Sequence, residues 1–272
     1  MRRTIDLTEA AADSAVPLAE VRMDGIHTDS GCIKGNVIIC PGGAYRWHSP
    51  REALPVAKAF AAHGWKPWIL YYTVSVRGEA LGTAPLSQAA AAVGTVRAAC
   101  PGRPVVLCGF SAGGHVAASL GVHWNDECLF AAEDQAVIRP DGLILGYPVI
   151  TAGKYAHRES LEKLWGDGLA ADRYFSLETY VDSRTPPAFI WHTAGDSTVM
   201  VQNSLCFARR LADKGVPFEM HIYPYGEHGL SLATMEVEEP EKHRYADAHV
   251  AGWFEQCVQW LDLVFPNPQA PA

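Results

Sequence analysis

Short, continuous apolar segments separated by longer helical patterns constrain this chain's fold more than any other feature. Each segment is rich in Val, Ile, Leu or aromatic residues, which favours a strand that is buried on both faces. Such strands occur in parallel sheets whose two sides are covered by helices. The sequence therefore predicts an α/β fold with a mostly parallel central sheet and helices on both faces. The predicted strands are Asn36–Cys40, Lys66–Val74, Pro104–Phe110, Asp141–Ile150, Pro187–Ala194 and Phe218–Pro224.

Chain length and two interruptions of this pattern bear on the domain organisation. The 272 residues are compatible with one large α/β domain, so we predict a single domain over residues 1–272. The first thirty or so residues are weakly patterned and favour one or two antiparallel strands at the sheet edge. Thr151–Asp182 contains no strand-like segment, which predicts a small helical insertion between two strands.

The segment after the first central strand, Ser49-Pro50-Arg51-Glu52, has the pattern of a helix start. Ser49 is a favourable N-cap, Pro50 suits the first helical position, and Glu52 completes a capping box. We therefore expect a helix that begins here and ends near Gly64.

Composition and charge exclude several classes of partner. The formal net charge is −8, which disfavours binding to nucleic acid. No run of about 18 apolar residues is present, so we expect no membrane-spanning helix, and no signal peptide is recognised after the N-terminal arginines. The seven cysteines are scattered without a C-x-x-C pair, which favours free thiols and a cytoplasmic location.

The most specific motif is Gly109-Phe110-Ser111-Ala112-Gly113, a G-x-S-x-G pattern. A predicted strand precedes it and a helical pattern follows it, which is the context of a nucleophile turn. Such a turn holds the serine in a strained backbone, so small residues are needed two positions on either side. Ser111 is therefore the candidate nucleophile.

A serine hydroxyl needs a base, and the base needs an orienting acid. Where a nucleophile turn joins a strand to a helix, these groups follow in the order serine, acid, histidine. Asp196 follows one predicted strand and His228 follows the next, both at carboxyl ends, where sites gather in open α/β sheets. His192 and His221 lie within strands, which favours a structural role, and we predict that Ser111, Asp196 and His228 form the catalytic set.

The tetrahedral intermediate of acyl transfer needs hydrogen-bond donors for its oxyanion. One is expected from the backbone N–H of Ala112, the residue after the nucleophile. The others are expected from Gly43 and Ala44, in the glycine-rich turn after the first central strand. This turn has the sequence PGGAY (Pro41–Tyr45).

No motif for a metal or cofactor is recognised. The sequence has no H-E-x-x-H and no paired cysteines, and it has neither G-x-G-x-x-G nor a P-loop. We therefore expect that the reaction needs no metal and no cofactor.

Four motifs in this order resemble the α/β-hydrolase superfamily, and most closely the bacterial acetyl esterases and acetyl-xylan esterases. They are PGGAY (Pro41–Tyr45), GFSAGGH (Gly109–His115), HTAGDSTV (His192–Val199) and GEHGL (Gly226–Leu230). Related lipase-like esterases have His where this chain has Pro41 and a third glycine where it has Ala44. The added methyl group predicts a slightly narrower acyl pocket.

The resemblance implies a serine esterase that removes short acyl groups, chiefly acetyl, from carbohydrate such as xylo-oligosaccharide. The residues alone imply only that the substrate is an ester or another activated acyl compound. We expect this substrate to be a small molecule or an oligosaccharide. Four aromatic residues near the expected site are candidates for stacking on sugar rings: Tyr45, Trp47, Trp165 and Tyr225.

Alternatives remain open. They are a general short-chain carboxylesterase acting on aryl or alkyl esters, and a non-catalytic binding member of the fold. A formamidase or a peptidase is less favoured, and such peptidases usually carry an additional gating domain. The sugar, the acyl group, the oligomeric state and the pathway stay open.

Overall fold

The computed structural model describes residues 3–6, 22–25, 33–165 and 174–266. Their strands form one eight-stranded sheet in the order β1-β2-β4-β3-β5-β6-β7-β8. The pairings from β4 through β8 are parallel, whereas β1 and β2 add antiparallel strands at one edge. Both the mostly parallel sheet and the antiparallel edge predicted from the sequence are confirmed. The strands are β1 Arg3–Asp6, β2 Arg22–Gly25, β3 Gly35–Cys40, β4 Trp65–Tyr71, β5 Val105–Phe110, β6 Gly142–Gly146, β7 Ala188–Thr193 and β8 Phe218–Tyr223.

Helices cover the two faces of this sheet and bury two hydrophobic clusters against it. Every residue of β3, β5, β6 and β7 is buried, as expected for strands covered on both faces. None of the described helices combines the length and the apolar composition needed to cross a membrane. The helices are α1 Leu54–Ala62, α2 Ala84–Ala99, α3 Ala112–His123, α4 Ala132–Ile138, α5 Arg158–Trp165, α6 Gln202–Asp213, α7 Ala248–Ala251 and α8 Trp253–Val264.

The insertion predicted over 151–182 lies between β6 and β7 and contains α5 together with a short 3-10 turn, Leu177–Thr179. Part of it, residues 166–173, falls outside the described residues. The division of the chain into one domain stays a prediction.

The capping box predicted at Ser49–Glu52 is wrong. Pro50–Glu52 forms a 3-10 turn, the Ser49 side chain caps no backbone N–H, and α1 begins only at Leu54. Glu52 is buried and accepts hydrogen bonds from the backbone N–H of Gly42 and from the Tyr147 hydroxyl. These partners are distant in sequence, so tertiary contacts override the local capping pattern.

Candidate active site

Ser111 occupies the sharp turn between β5 and α3. Its backbone has φ 52° and ψ −119°, a conformation that L-residues rarely adopt and that costs about 1–3 kcal/mol. The Ser111 N–H donates to the Gly146 carbonyl at 3.1 Å, and the Val149 N–H donates to the Ser111 carbonyl at 3.1 Å. Bonds to the last residue of β6 and to the segment after it therefore hold both peptide groups of the strained residue.

The glycines of the motif are required by close backbone contacts. A Cβ atom on Gly109 would lie 2.2 Å from the Gly113 carbonyl oxygen, and one on Gly113 would lie 1.9 Å from the Cys40 carbonyl oxygen. Neither neighbour is a flexible side chain, so no local adjustment relieves the contact. The need for small residues two positions either side of Ser111 follows directly from this packing.

Three predicted site residues form one hydrogen-bonded chain. The Ser111 hydroxyl donates to Nε2 of His228 at 2.8 Å, and Nδ1 of His228 donates to Oδ2 of Asp196 at 2.6 Å. Because a carboxylate only accepts, Nδ1 carries the proton and Nε2 is free to accept from the serine. Ser111, Asp196 and His228 each follow the carboxyl end of a parallel strand (β5, β7 and β8), which is why residues far apart in sequence meet here.

Asp196 is held by four donors. Its Oδ1 accepts from the backbone N–H groups of Thr198 and Val199, both at 2.9 Å, and its Oδ2 also accepts from Nε2 of His192 at 3.2 Å. Burial alone would raise the pKa of Asp196, but hydrogen bonds from His192 and His228 outweigh burial and hold the pKa well below its usual range. The carboxyl group is therefore ionised at neutral pH.

His192 also supports the site, which sequence reasoning missed. It is fully buried in β7 and bonds to Ser204 and to the Val199 carbonyl as well as to Asp196. The prediction of a structural histidine in a strand is confirmed, but its contact with Asp196 was not foreseen. The sequence feature that indicates this contact is the position of His192, four residues before Asp196 and near the end of the strand that Asp196 follows.

The turn after β3 carries the predicted oxyanion donors and approaches Ser111 at Gly42, where an added Cβ atom would lie 3.0 Å from Cβ of Ser111. Gly43, Ala44 and Tyr45 all have positive φ, at 133°, 52° and 57°. Within the described residues, the backbone N–H groups of Gly43, Ala44 and Ala112 donate to no protein acceptor. The turn therefore presents backbone donors that the fold itself does not use.

Tyr45 does not lie where a sugar can reach its ring. Its exposed fraction is 1%, and its ring packs against the rings of Tyr72 and His115. The Tyr45 hydroxyl donates to Nδ1 of His115 at 2.9 Å, and Nε2 of His115 donates to the Phe175 carbonyl at 3.0 Å. The prediction that Tyr45 stacks on substrate is wrong, because the left-handed turn directs this side chain into the core.

The other three aromatic candidates differ in exposure. Trp47 is 46% exposed, and Lys242 lies over its ring. Trp47 follows the Pro41–Tyr45 turn, which we call the donor turn because it carries the predicted oxyanion donors. Tyr225 is 80% exposed and lies three residues before His228. Trp165 is half-buried and stacks on Phe175, which fits a packing role.

Two arginines hold the backbone of the loop that carries His228. Nε of Arg244 donates to the His228 carbonyl at 2.6 Å, and Nη1 of Arg51 donates to the Gly229 carbonyl at 2.7 Å. Both guanidinium groups also pair with Glu239. Although partial burial raises the pKa of Glu239, hydrogen bonds from Lys242 and Arg244 lower it below its usual range. We call Arg51, Arg244 and Glu239 the loop clamp.

The described residues contain no group of three or more His, Cys, Asp and Glu side chains that is arranged to hold a metal ion. The polar groups at this end of the strands include the Ser111 hydroxyl, the His228 imidazole and the Asp196 carboxylate. This set matches the requirements of nucleophilic acyl transfer.

The sheet order, the nucleophile turn and the hydrogen-bonded chain define an α/β-hydrolase. The chain belongs to the prolyl oligopeptidase family, whose pattern it matches over residues 88–260.

Several solved structures are similar over nearly the whole chain. An acetyl ester-xyloside bifunctional hydrolase from Caldicellulosiruptor lactoaceticus is 33% identical, with a TM-score of 0.81 over 96% of each chain. A carboxylesterase from Lactobacillus plantarum is 27% identical, with a TM-score of 0.79 over 97% of this chain and 96% of that one.

A sequence relative is the endo-1,4-beta-xylanase B of Butyrivibrio fibrisolvens, which is 39% identical over 209 residues. The match covers 74% of this chain but only 33% of that protein's length, so the chain spans about a third of this relative.

Proposed function

We propose that this chain is a serine esterase that removes short acyl groups, chiefly acetyl, from carbohydrate. The observation that carries the proposal is the hydrogen-bonded chain from Ser111 through His228 to Asp196. A serine already bonded to an imidazole, which is itself bonded to a carboxylate, is prepared for proton removal on attack.

The reaction proceeds in two acyl transfers. The Ser111 oxygen attacks the ester carbonyl while Nε2 of His228 takes the hydroxyl proton, and the same proton then passes to the leaving sugar oxygen. Water attacks the acyl-serine with His228 as base, and the acid leaves as Ser111 regains its proton. Asp196 keeps the imidazole in the tautomer with Nδ1 protonated and stabilises the imidazolium formed in each step.

The oxyanion of each tetrahedral intermediate is held by the backbone N–H groups of Gly43, Ala44 and Ala112. That these groups donate to no other acceptor in the described part of the chain supports the assignment. Loss of one such donor costs about 10²–10³-fold in rate in serine hydrolases. A set of three therefore supplies a large share of the transition-state stabilisation.

Carbohydrate is favoured by the relatives and by the rim of the site. One similar structure is named as an acetyl ester-xyloside hydrolase, and the sequence relative is named as a xylanase. Trp47 and Tyr225 expose aromatic surface near the donor turn and near His228, respectively, where rings can stack on sugar.

Short acyl groups are favoured by the donor turn and by the insertion. Ala44 places a methyl group where lipase-like relatives have none. Within Thr151–Trp165, Lys154, Arg158 and Glu159 are exposed, which does not suit an apolar channel for long chains. Without such a channel, additional methylenes gain none of the roughly 0.8 kcal/mol each that burial would provide.

A cytoplasmic location belongs to the same proposal. It is supported by the described cysteines, all of which are free thiols: Cys40, Cys100, Cys108, Cys128, Cys206 and Cys257.

The test is a substrate panel. Acetylated xylo-oligosaccharides are compared with acetate, butyrate and octanoate esters of p-nitrophenol, and kcat/KM is measured for each. We expect hydrolysis of the acetylated sugars and a graded fall from acetate to octanoate. A rising series would contradict the short-acyl assignment.

Two other candidates have observations in their favour. The similar carboxylesterase structure favours a general short-chain carboxylesterase, and hydrolysis of the p-nitrophenyl esters without the acetylated sugars would support it. The family match favours a peptidase, so a proline-containing peptide p-nitroanilide is included in the panel. Cleavage of this peptide at a rate exceeding that of every ester would overturn the esterase assignment.

A further inference from the structure

Glu52 is a buried acidic side chain that takes no part in the reaction steps above. Its exposed fraction is 3%, and both of its carboxyl oxygens accept hydrogen bonds. Oε2 accepts from the Gly42 N–H at 2.7 Å, and Oε1 accepts from the Tyr147 hydroxyl at 2.7 Å. Within the described residues it has no cationic partner at salt-bridge distance. Burying a carboxyl group in this way is unfavourable, so its position calls for a physical explanation.

The first bond of Glu52 reaches the donor turn. Gly42 directly precedes Gly43 and Ala44, whose N–H groups are the proposed oxyanion donors. A Cβ atom on Gly42 would lie 2.8 Å from Oε2 of Glu52 and 3.0 Å from Cβ of Ser111, so the carboxyl group lies directly behind the turn and close to the nucleophile. Fixing the Gly42 N–H against Glu52 limits the directions in which the next two peptide groups can point.

The second bond of Glu52 connects it, through Tyr147, to the loop that carries the base. Tyr147 follows β6 with φ 36°, and its ring meets the His228 ring edge-on with a centroid distance of 5.0 Å. The Tyr147 hydroxyl also accepts from the backbone N–H of Ser231 at 2.9 Å. Because Ser231 lies three residues after His228, Tyr147 connects Glu52 to the base loop.

We propose that Glu52 is a positioning residue that fixes the donor turn and the His228 loop relative to each other. This role rests on the proposed function, because the alignment matters only if Ser111 attacks a carbonyl group between the two. Glu52 touches no reacting atom. It acts through Gly42 on the oxyanion donors and through Tyr147 on the base.

The experiment compares three variants with a control. Glu52→Ala removes both bonds, Glu52→Gln keeps one acceptor oxygen for the Gly42 N–H, and Tyr147→Phe removes the bonds to Glu52 and to Ser231. Asn36→Ala is the control, because it removes a buried acceptor for the Trp68 indole (3.2 Å) on β3, at the strand end away from the site. For each protein the melting temperature, kcat and KM for p-nitrophenyl acetate, and the rate of Ser111 labelling by a fluorophosphonate are measured well below the melting temperature.

The expected results separate positioning from stability. Glu52→Ala lowers kcat by about 10²-fold and changes KM by less than about threefold, because the donors it misplaces act on the transition state. Glu52→Gln and Tyr147→Phe each lower kcat by about tenfold, and they carry the test if Glu52→Ala does not fold. Asn36→Ala lowers the melting temperature but keeps kcat within about twofold.

Several outcomes would overturn the role of Glu52. One is a kcat and a labelling rate within threefold of wild type in all three variants. Another is a fall in kcat in the control Asn36→Ala that is as large, for a similar loss of melting temperature, as the fall in the Glu52 and Tyr147 variants. Labelling does not depend on the sugar or the acyl group, so it tests Glu52 even if the proposed substrate is wrong. A wild-type chain that neither labels nor hydrolyses any ester would refute the proposed function itself, and the positioning role with it.

Discussion

The nucleophile and the base are supported by different means. Ser111 lies between β5, in which all six residues are buried, and α3, in which all twelve residues are buried. His228 follows the edge strand β8, in which Tyr223 is the one buried residue of six. The serine is therefore fixed by tight backbone packing in the core, whereas the base sits on a loop at the edge of the sheet.

At the loop that carries His228, polar side chains add to the packing. The loop clamp of Arg51, Arg244 and Glu239 holds the carbonyl groups of His228 and Gly229. These charge-assisted hydrogen bonds fix the loop backbone at His228 itself, just before the residues Leu230 and Leu232 that anchor the loop by apolar burial. We therefore expect the nucleophile side to respond most to substitutions that change side-chain volume or buried neutral groups. We expect the base side to respond most to substitutions that remove the charges holding its backbone.

The largest effect is expected from removing the nucleophile, where the two sides act as one unit. Ser111→Ala should lower kcat by about 10⁴-fold or more with the fold intact, and adding His228→Ala should cost little more. The measurement is kcat for p-nitrophenyl acetate together with the far-UV circular dichroism spectrum. Additive losses in the double variant would show that the two residues act separately.

The packing of the nucleophile turn is tested next. Gly113→Ala forces a methyl group to within 1.9 Å of the Cys40 carbonyl oxygen. We therefore expect the free energy of unfolding to fall by about 3 kcal/mol or more. Gly94→Ala, within α2, is the matched control, because its Cβ atom would meet only the Val137 side chain, at an ordinary contact distance of 3.7 Å. The control should gain up to about 1 kcal/mol in urea unfolding. Equal stabilities for the two variants would contradict the packing account.

Acid should destabilise the packing on the nucleophile side, through two buried histidines of α3, at a higher pH than it disrupts the ion pairs of the loop clamp. Burial lowers the pKa of both His115 and His123, on α3, from 6.5 to about 4. The unfolded chain therefore takes up protons at these imidazoles below about pH 6.5, while the folded chain does so only near pH 4. Stability is fully present above pH 6.5 and falls as the pH is lowered towards 4, by about 2 kcal/mol per histidine at pH 5.

Urea unfolding at pH 7, 6 and 5 checks this dependence. His123→Asn should flatten the decline by about 2 kcal/mol at pH 5, whereas the exposed His243→Asn should decline like wild type. An unchanged decline in His123→Asn would show that this imidazole does not contribute.

The smallest effect is expected at the loop clamp. Arg244→Gln removes the guanidinium from the His228 carbonyl and from Glu239, and we expect kcat to fall about tenfold through misplacement of the base. Arg97→Gln is the control, because Arg97 also donates to backbone carbonyl groups. They are those of Val137 and Arg139, which precede the start of β6, the strand end opposite to the site. If both variants kept wild-type kcat, side-chain support of the base loop would not be needed.

The sequence predicted the fold well because the informative patterns are local. Five of the six apolar segments match strands to within three residues at each end, and the sixth, Asp141–Ile150, extends past β6. Ser111, Asp196 and His228 lie within about five residues of a strand end, so a motif near a strand end was enough to place them. The structure adds the distances that join their side chains.

Contacts between distant segments were not predictable in this way. Glu52 fits a capping box locally, but its partner Tyr147 lies 95 residues away. Tyr45 belongs to an apparently exposed turn, yet a positive φ directs its ring into the core. Arg51 reaches the Gly229 carbonyl across 178 residues, and no pattern in a single sequence indicates that pairing.

The most direct test of the central claim is the mass of the chain after treatment with a fluorophosphonate. We expect one adduct, on the peptide that carries Ser111, with labelling abolished in Ser111→Ala and strongly slowed in His228→Ala. Acetylated xylo-oligosaccharide added beforehand should slow the labelling of the wild-type protein. No adduct, or an adduct that persists in Ser111→Ala, would contradict the assignment of Ser111 as the nucleophile.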